Sequence, residues 1–122
     1  MKQPLKLEDI KVYTKAMKIG DWVWQIVEEW KYFEKDTIGK QWVRSADSIA
    51  ANISEGYGRY HFKENQKFCY YSRGSLTETK TWLTKAHNRD LVSKARYEFL
   101  QKELDTLLKM LNSYIKSIGP KK

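Results

Sequence analysis

The sequence predicts an all-α fold, an antiparallel up-down four-helix bundle, on three observations. Four segments carry apolar residues at three- and four-residue spacing, the period of one helix face. No segment shows the strict alternation of a convincing strand. The links between segments are short, so each helix should run antiparallel to the one before it. At 122 residues the chain has room for one core and one domain, 1–122, with helices at about residues 8–31, 37–55, 62–88 and 94–118.

The first helix carries two apolar stripes. Ile10, Tyr13, Met17, Gly20, Trp24 and Val27 form one, and Val12, Ala16, Ile19, Val23, Ile26 and Trp30 form the other. Together they are wider than one core requires, and the surplus asks for a partner surface. Trp22 falls off both stripes. The second helix follows the short link YFEKD, with Asp36 or Thr37 placed to cap it. It holds the stretch Arg44 to Arg59, RSADSIAANISEGYGR, around which the chain is organised. Its apolar positions Ala46, Ile49 or Ala50, Ile53 and Tyr57 recur every three or four residues, while Arg44, Ser48, Asn52, Glu55 and Arg59 share another face. The residues between are small, so a neighbouring helix can come close and the polar line is expected in or near a packed seam. Gly56 and Gly58 are expected to close the helix in the left-handed cap conformation.

The third helix has the core line Cys69, Ser72, Leu76, Thr79, Leu83 and Ala86, flanked by Phe68, Tyr71, Ser75 and Trp82. Gly74 lies mid-helix, where glycine costs about 1 kcal/mol relative to alanine; a close helix–helix contact at Gly74 and Ser75 would account for it. The fourth helix starts after Ser93, a natural cap, and stops at Gly119-Pro120. Tyr97, Leu100, Leu104, Leu107, Leu111, Tyr114 and Ile118 hold a coiled-coil-like 3-4 alternation, which leaves Lys102, Lys109 and Lys116 to solvent or a ligand.

Composition narrows the function classes. With 41% apolar and 31% charged residues the chain reads as a folded soluble protein. No run of about 18 apolar residues is present, so no membrane partner is expected. The opening MKQPLKLEDIKVY lacks the apolar run of a signal peptide, which argues for the cytoplasm. Cys69 is the one cysteine, which excludes an internal disulfide and a cysteine-based zinc cluster, and His61 and His87 form no metal-spacing motif. No cofactor is expected. The net charge of +8 is uneven: Lys and Arg exceed Asp and Glu by 6 to 3 over residues 61–92 and 7 to 3 over residues 93–122, but only balance them, 7 to 7, over residues 1–36. A surface of this kind draws polyanions by counterion release, nucleic acid being the commonest in the cytoplasm.

Three segments resemble the signature blocks of a bacterial family: LEDIKVYTKAM (residues 7–17), QWVRSADSIAANISEGYGR (41–59) and RGSLTETKTWL (73–83). The most diagnostic positions are Arg44, Ser48, Ile49, Asn52, Ile53, Glu55, Gly56, Gly58 and Arg59, seconded by Gly74, Ser75, Leu76 and Glu78. The chain is similar, over about residues 5–118, to the four-helix-bundle proteins encoded in intervening sequences of 23S ribosomal RNA genes, the S23 ribosomal protein family. That family is in turn similar to the accessory variability protein of diversity-generating retroelements. The resemblance implies an up-down bundle assembling into a ring-like homopentamer, with a basic surface for RNA or DNA and no known enzymatic activity. The chain departs from the pattern at Glu34, where a proline usually follows the aromatic, and at Tyr60-His61, where serine and basic residues are usual.

Each constellation has a bland and a sharp reading. Arg44, Ser48, Asn52, Glu55 and Glu78 would be catalytic only if Glu55 and Glu78 formed a carboxylate pair, and a bundle metal site asks for Glu-x-x-His, which is absent. They are expected instead to form a structural polar network that sets helix register, with Arg44 paired to a glutamate. Cys69 has no companion histidine in an ordered motif, so no nucleophile is supplied and no enzyme is expected. Five tryptophans and eight tyrosines exceed what one small core hides. A subunit interface would use them. So would unpaired bases, at Tyr60 beside Arg59 and Lys63 or Tyr70 beside Lys67 and Arg73. Arg59, Lys63, Lys67, Arg73 and Lys80, then Lys102, Lys109 and Lys116, are the expected phosphate contacts, positioning without base specificity. The function expected is a homo-oligomeric nucleic-acid-binding module; the alternative is a scaffold docking a nucleic-acid enzyme such as a reverse transcriptase.

Overall fold

The computed structural model describes residues 6–120, and all of it that is regular is helical. A 3-10 turn at Leu7–Asp9 closes on itself, the Asp9 carboxylate accepting from the Lys6 N–H at 3.2 Å. Ile10 is extended and drops into the core, so the first helix, α1 (Lys11–Glu28), starts later than its apolar pattern suggests. It also ends earlier. Trp30 leaves the helix to stack on Trp42 at 5.8 Å between ring centroids, and its indole N–H donates to the Leu91 carbonyl at 3.1 Å.

The second helix begins before its expected start. A turn at Tyr32–Glu34 and a π-helical turn at Lys35–Gly39 run unbroken into Lys40–Tyr57, and we number this whole path α2. Asp36 and Thr37 therefore cap nothing. Asp36 pairs with Lys40 at 3.0 Å, and the Thr37 hydroxyl donates back to the Phe33 carbonyl at 2.7 Å. The wider turn falls where Gly39 passes α1 so closely that a Cβ there would lie 2.8 Å from Val27 Cγ1. At the other end, Gly58 has φ −77° and ψ −4°, right-handed values open to any residue, so the expected left-handed cap is not used. Gly56 is inside the helix and buried: a Cβ there would stand 2.9 Å from the Asn65 carbonyl. Space, not handedness, requires that glycine.

The third and fourth helices, α3 (Phe62–Asn88) and α4 (Lys94–Ser117), complete the bundle. The Ser93 hydroxyl caps α4 by accepting from the Arg96 N–H at 3.2 Å. Beyond α4, Gly119 takes φ +145°, a conformation that side chains disfavour, and Pro120 follows. Partner numbers fall as residue numbers rise across every seam, so all neighbours are antiparallel. Val27 meets Gly39 and Gly20 meets Asp47 between α1 and α2. Arg73 reaches Asn112 and Lys80 reaches Asp105 between α3 and α4. Lys15 meets Glu103 and Trp22 meets Phe99 between α1 and α4.

The core is filled as the periodicity anticipates on α3, where Cys69, Ser72, Leu76, Thr79, Leu83 and Ala86 are the buried residues. Along α4 the buried line is Leu100, Leu104, Leu107, Leu111 and Ile115, with Tyr114 and Ile118 only half-buried. On α1 the stripe through Val12, Ala16, Ile19, Val23 and Ile26 faces inward. The other stripe is split: Ile10, Gly20 and Val27 are buried, but Met17 is 46% and Trp24 54% exposed. Trp22 packs edge-on against Phe99 at 4.9 Å.

Candidate nucleic-acid interface

The buried line of α3 leaves an opposite face bearing Lys63, Lys67, Tyr70, Tyr71, Gly74, Glu78 and Lys85, all exposed. On α4, Lys102, Lys109 and Lys116 recur every seven residues and are likewise exposed. α3 and α4 are neighbours, so these cations share one outer layer of the bundle.

The eight predicted contacts differ in how much charge they have to offer. Lys63, Lys67, Lys102, Lys109 and Lys116 have no carboxylate partner among the described residues. Arg73 donates to the Asn112 side-chain oxygen at 3.0 Å, a neutral acceptor that leaves its charge uncompensated. Lys80, by contrast, is bound to Asp105 at 2.6 Å. Arg59 lies between Glu55 at 3.5 Å and Glu64 at 3.9 Å. Both are neutralised locally and are weak candidates for phosphate contact.

Aromatic rings lie under several of these cations, a cation–π arrangement. The Arg73 guanidinium is 4.9 Å from the Tyr70 ring centroid and Lys67 Nζ is 5.9 Å from that of Tyr71. Arg59 covers Phe68 at 4.7 Å, with Phe68 edge-on to Tyr71 at 5.5 Å. Tyr60, expected beside Arg59 and Lys63, is instead 92% exposed with its edge against His61. Gly74 was expected in a tight seam, but a Cβ there would meet nothing within 4 Å. No helix of this bundle presses on it.

The polar line of α2 also differs from expectation. The Ser48 hydroxyl donates to the Arg44 carbonyl at 2.8 Å, and the Asn52 amide donates to the Ser48 carbonyl at 2.9 Å, both within α2. Arg44 makes no ion pair among the described residues. Glu55 pairs with Arg59, and Glu78 accepts from the Trp82 indole at 3.0 Å on its own helix. These five side chains thus form no network between helices. The interhelical polar seam is one residue round from Arg44: Ser45 receives the Thr79 hydroxyl at 3.0 Å, and the Ser72 hydroxyl donates to the Ile49 carbonyl at 2.7 Å. The signal for it was present, since Ser72 and Thr79 are polar residues on an otherwise apolar core line.

Arg44 and Ser48 instead border an open groove of about 730 Å³ between α1 and α2, floored by Trp24, Val27, Val43 and Ala51. Asp47, also on its wall, has its carboxyl pushed up by burial and, to a lesser degree, by the Asp21 charge. No group of His, Cys, Asp and Glu suited to a metal ion occurs among the described residues. None of their helices is long and apolar enough to cross a membrane.

Fold and surface together define an all-α four-helix bundle with a cation-rich layer on α3 and α4 and an open groove between α1 and α2. The chain belongs to the 23S rRNA-intervening sequence protein family, whose model matches residues 8–113. Its fold is similar to the crystal structure of a protein of unknown function from the S23 ribosomal protein family of Bacteroides thetaiotaomicron VPI-5482. The TM-score is 0.77 and the identity 22%, with 87% of this chain and 99% of that one covered. No protein with a curated function matches the chain.

Proposed function

We propose that this chain is a non-enzymatic, self-associating cytoplasmic bundle that binds RNA or DNA by neutralising phosphates along α3 and α4. The observation that carries this is the set Lys63, Lys67, Arg73, Lys102, Lys109 and Lys116, which stands on one two-helix layer with no carboxylate partner among the described residues. Cations left uncompensated are free to neutralise phosphates, which releases the counterions condensed on a polyanion. The α1/α2 groove supports self-association, because Trp24, 54% exposed, leaves apolar surface open there. It lies between α1 and α2, so copies joined through it would leave α3 and α4 outward. A ring-like homopentamer, which the family resemblance implies, would repeat the basic layer and gain avidity.

The test is binding to structured RNA and duplex DNA over a salt series, with particle mass read by light scattering. Log affinity should fall linearly with log salt, by about 0.9 per phosphate neutralised on duplex DNA. Lys63→Glu, Lys67→Glu and Arg73→Glu together should flatten that slope; unaltered retention of both polymers would refute the proposed layer. The groove also favours a second reading, a scaffold for a nucleic-acid enzyme such as a reverse transcriptase. A pull-down that survives nuclease treatment would support it.

A further inference from the structure

Gly74 raises a question that the bundle does not answer. It is mid-helix and exposed, and no atom of the described residues beyond its own helical surroundings comes within 4 Å of where a Cβ would lie. A helical side chain covers the surface over the turn N-terminal to its own Cα. The side chain missing at Gly74 therefore bares the backbone over the turn that carries Tyr70 and Tyr71, its neighbours at four and three residues before. Both rings are 49% exposed. Each holds a cation near its ring, Arg73 at 4.9 Å for Tyr70 and Lys67 at 5.9 Å for Tyr71. Glu78, the acidic neighbour one turn on, accepts from the Trp82 indole, a neutral donor that leaves its negative charge in place, so phosphates would be met from the Tyr70 and Lys67 side.

A bare strip of helix between two rings, each with a cation over one face, fits a flat group attached to an anionic backbone. We propose that the Tyr70–Gly74–Tyr71 gap receives an unpaired nucleobase, and that the ligand is single-stranded nucleic acid or the unpaired loop of a structured one. This deepens the nucleic-acid reading and rests on it. A duplex hides its base faces in the stack, and the outer face of a straight helix offers such faces nothing to insert between them. Stacking on tyrosine needs a base that is already free. Arg73, Lys67 and Lys63, which has no carboxylate partner among the described residues, would meet the phosphates on either side.

The experiment compares a labelled oligouridylate, which has no stable secondary structure, with a mixed-sequence RNA duplex of equal length, by fluorescence anisotropy at one fixed salt concentration. The wild-type protein should hold the single strand at least about tenfold more tightly. Tyr70→Ala with Tyr71→Ala, and separately Gly74→Leu, should each weaken the single strand by about tenfold and leave the duplex unchanged. A Cβ at position 74 would meet nothing within 4 Å, so the leucine is expected to be tolerated, and thermal melting checks that the variant is folded. Equal affinities for the two probes, with both variants unaffected, would overturn the proposal while leaving phosphate binding intact. A fall in particle mass in either variant would overturn it by showing that the gap is a contact between copies. Failure to retain either probe at low salt would remove the nucleic-acid reading itself.

Discussion

Gly56→Ala, in the last turn of α2, and Gly74→Ala, midway along α3, are the same substitution, and the structure gives them opposite signs. Alanine adds helix propensity worth about 1 kcal/mol in a helix interior such as position 74, and no more than that at position 56. At Gly74 nothing within 4 Å opposes it, so the variant should be more stable by up to that amount. At Gly56 the new Cβ would lie 2.6 Å from Asn65 Oδ1, 2.9 Å from the Asn65 carbonyl and 3.1 Å from Phe68 Cβ. The Asn65 side chain can swing away. Its carbonyl cannot, because it is helix backbone and α3 is tied to α2 by the Ser72 and Thr79 hydroxyls. Overpacking costs about 1–3 kcal/mol, and a backbone contact belongs toward the upper end. Subtracting the propensity gain leaves a net loss of about 1–2 kcal/mol for Gly56→Ala. The assay is urea unfolding followed by far-UV circular dichroism, at several protein concentrations because any self-association would add to apparent stability. Midpoints should move in opposite directions with the slope unchanged. If both variants shift stability the same way by similar amounts, the close approach of α2 and α3 at Gly56 is wrong.

Other outcomes follow from single contacts. Ser72→Ala removes a buried hydroxyl whose acceptor, the Ile49 carbonyl, lies within α2; it should cost about 1 kcal/mol in the same unfolding assay. Cys69 is fully buried, and burial pushes its thiol up to about 11, so a thiol reagent should label it at neutral pH only in denaturant. Asp47 has a folded-state value raised by burial and by Asp21. The folded protein then binds its proton more tightly than the unfolded chain does, so stability falls as pH rises from the ordinary carboxylate range through the raised value, and is level above it. Asp47→Asn should remove that slope and stabilise at neutral pH by no more than about 0.5 kcal/mol, since water and salt screen an exposed pair; melting curves across pH would show it.

Helix identity was legible from sequence because periodicity reports burial directly. The α3 core line from Cys69 to Ala86 could be read residue by residue, and so could the Ser93 cap, whose hydroxyl needs no distant partner. The start of α2 was not legible, since YFEKD has the composition of a link and becomes helical where Gly39 passes Val27 of α1. Gly56 serves close packing rather than a cap, and Gly58 and Gly74 serve neither, for one reason. A glycine in a sequence signals permission, and only the neighbours decide whether it grants a turn, a close approach or a bare surface.

The site divides in the same way. That the chain carries surplus cations in its second half, and more aromatic side chains than one core hides, was determined by the sequence alone, because charge and composition are properties of residues. Which cations remain uncompensated was decided by tertiary structure, since Lys80 meets Asp105 and Arg59 meets Glu64 only when separate segments come together. The polar seam shows the difference most clearly. A step of one residue turns a helical side chain by about 100°, so Arg44 and Ser45 are adjacent in sequence yet point one to a groove and the other to the Thr79 hydroxyl. Sequence placed a polar line on α2, but only the packing of α3 against it chose which side chains would meet.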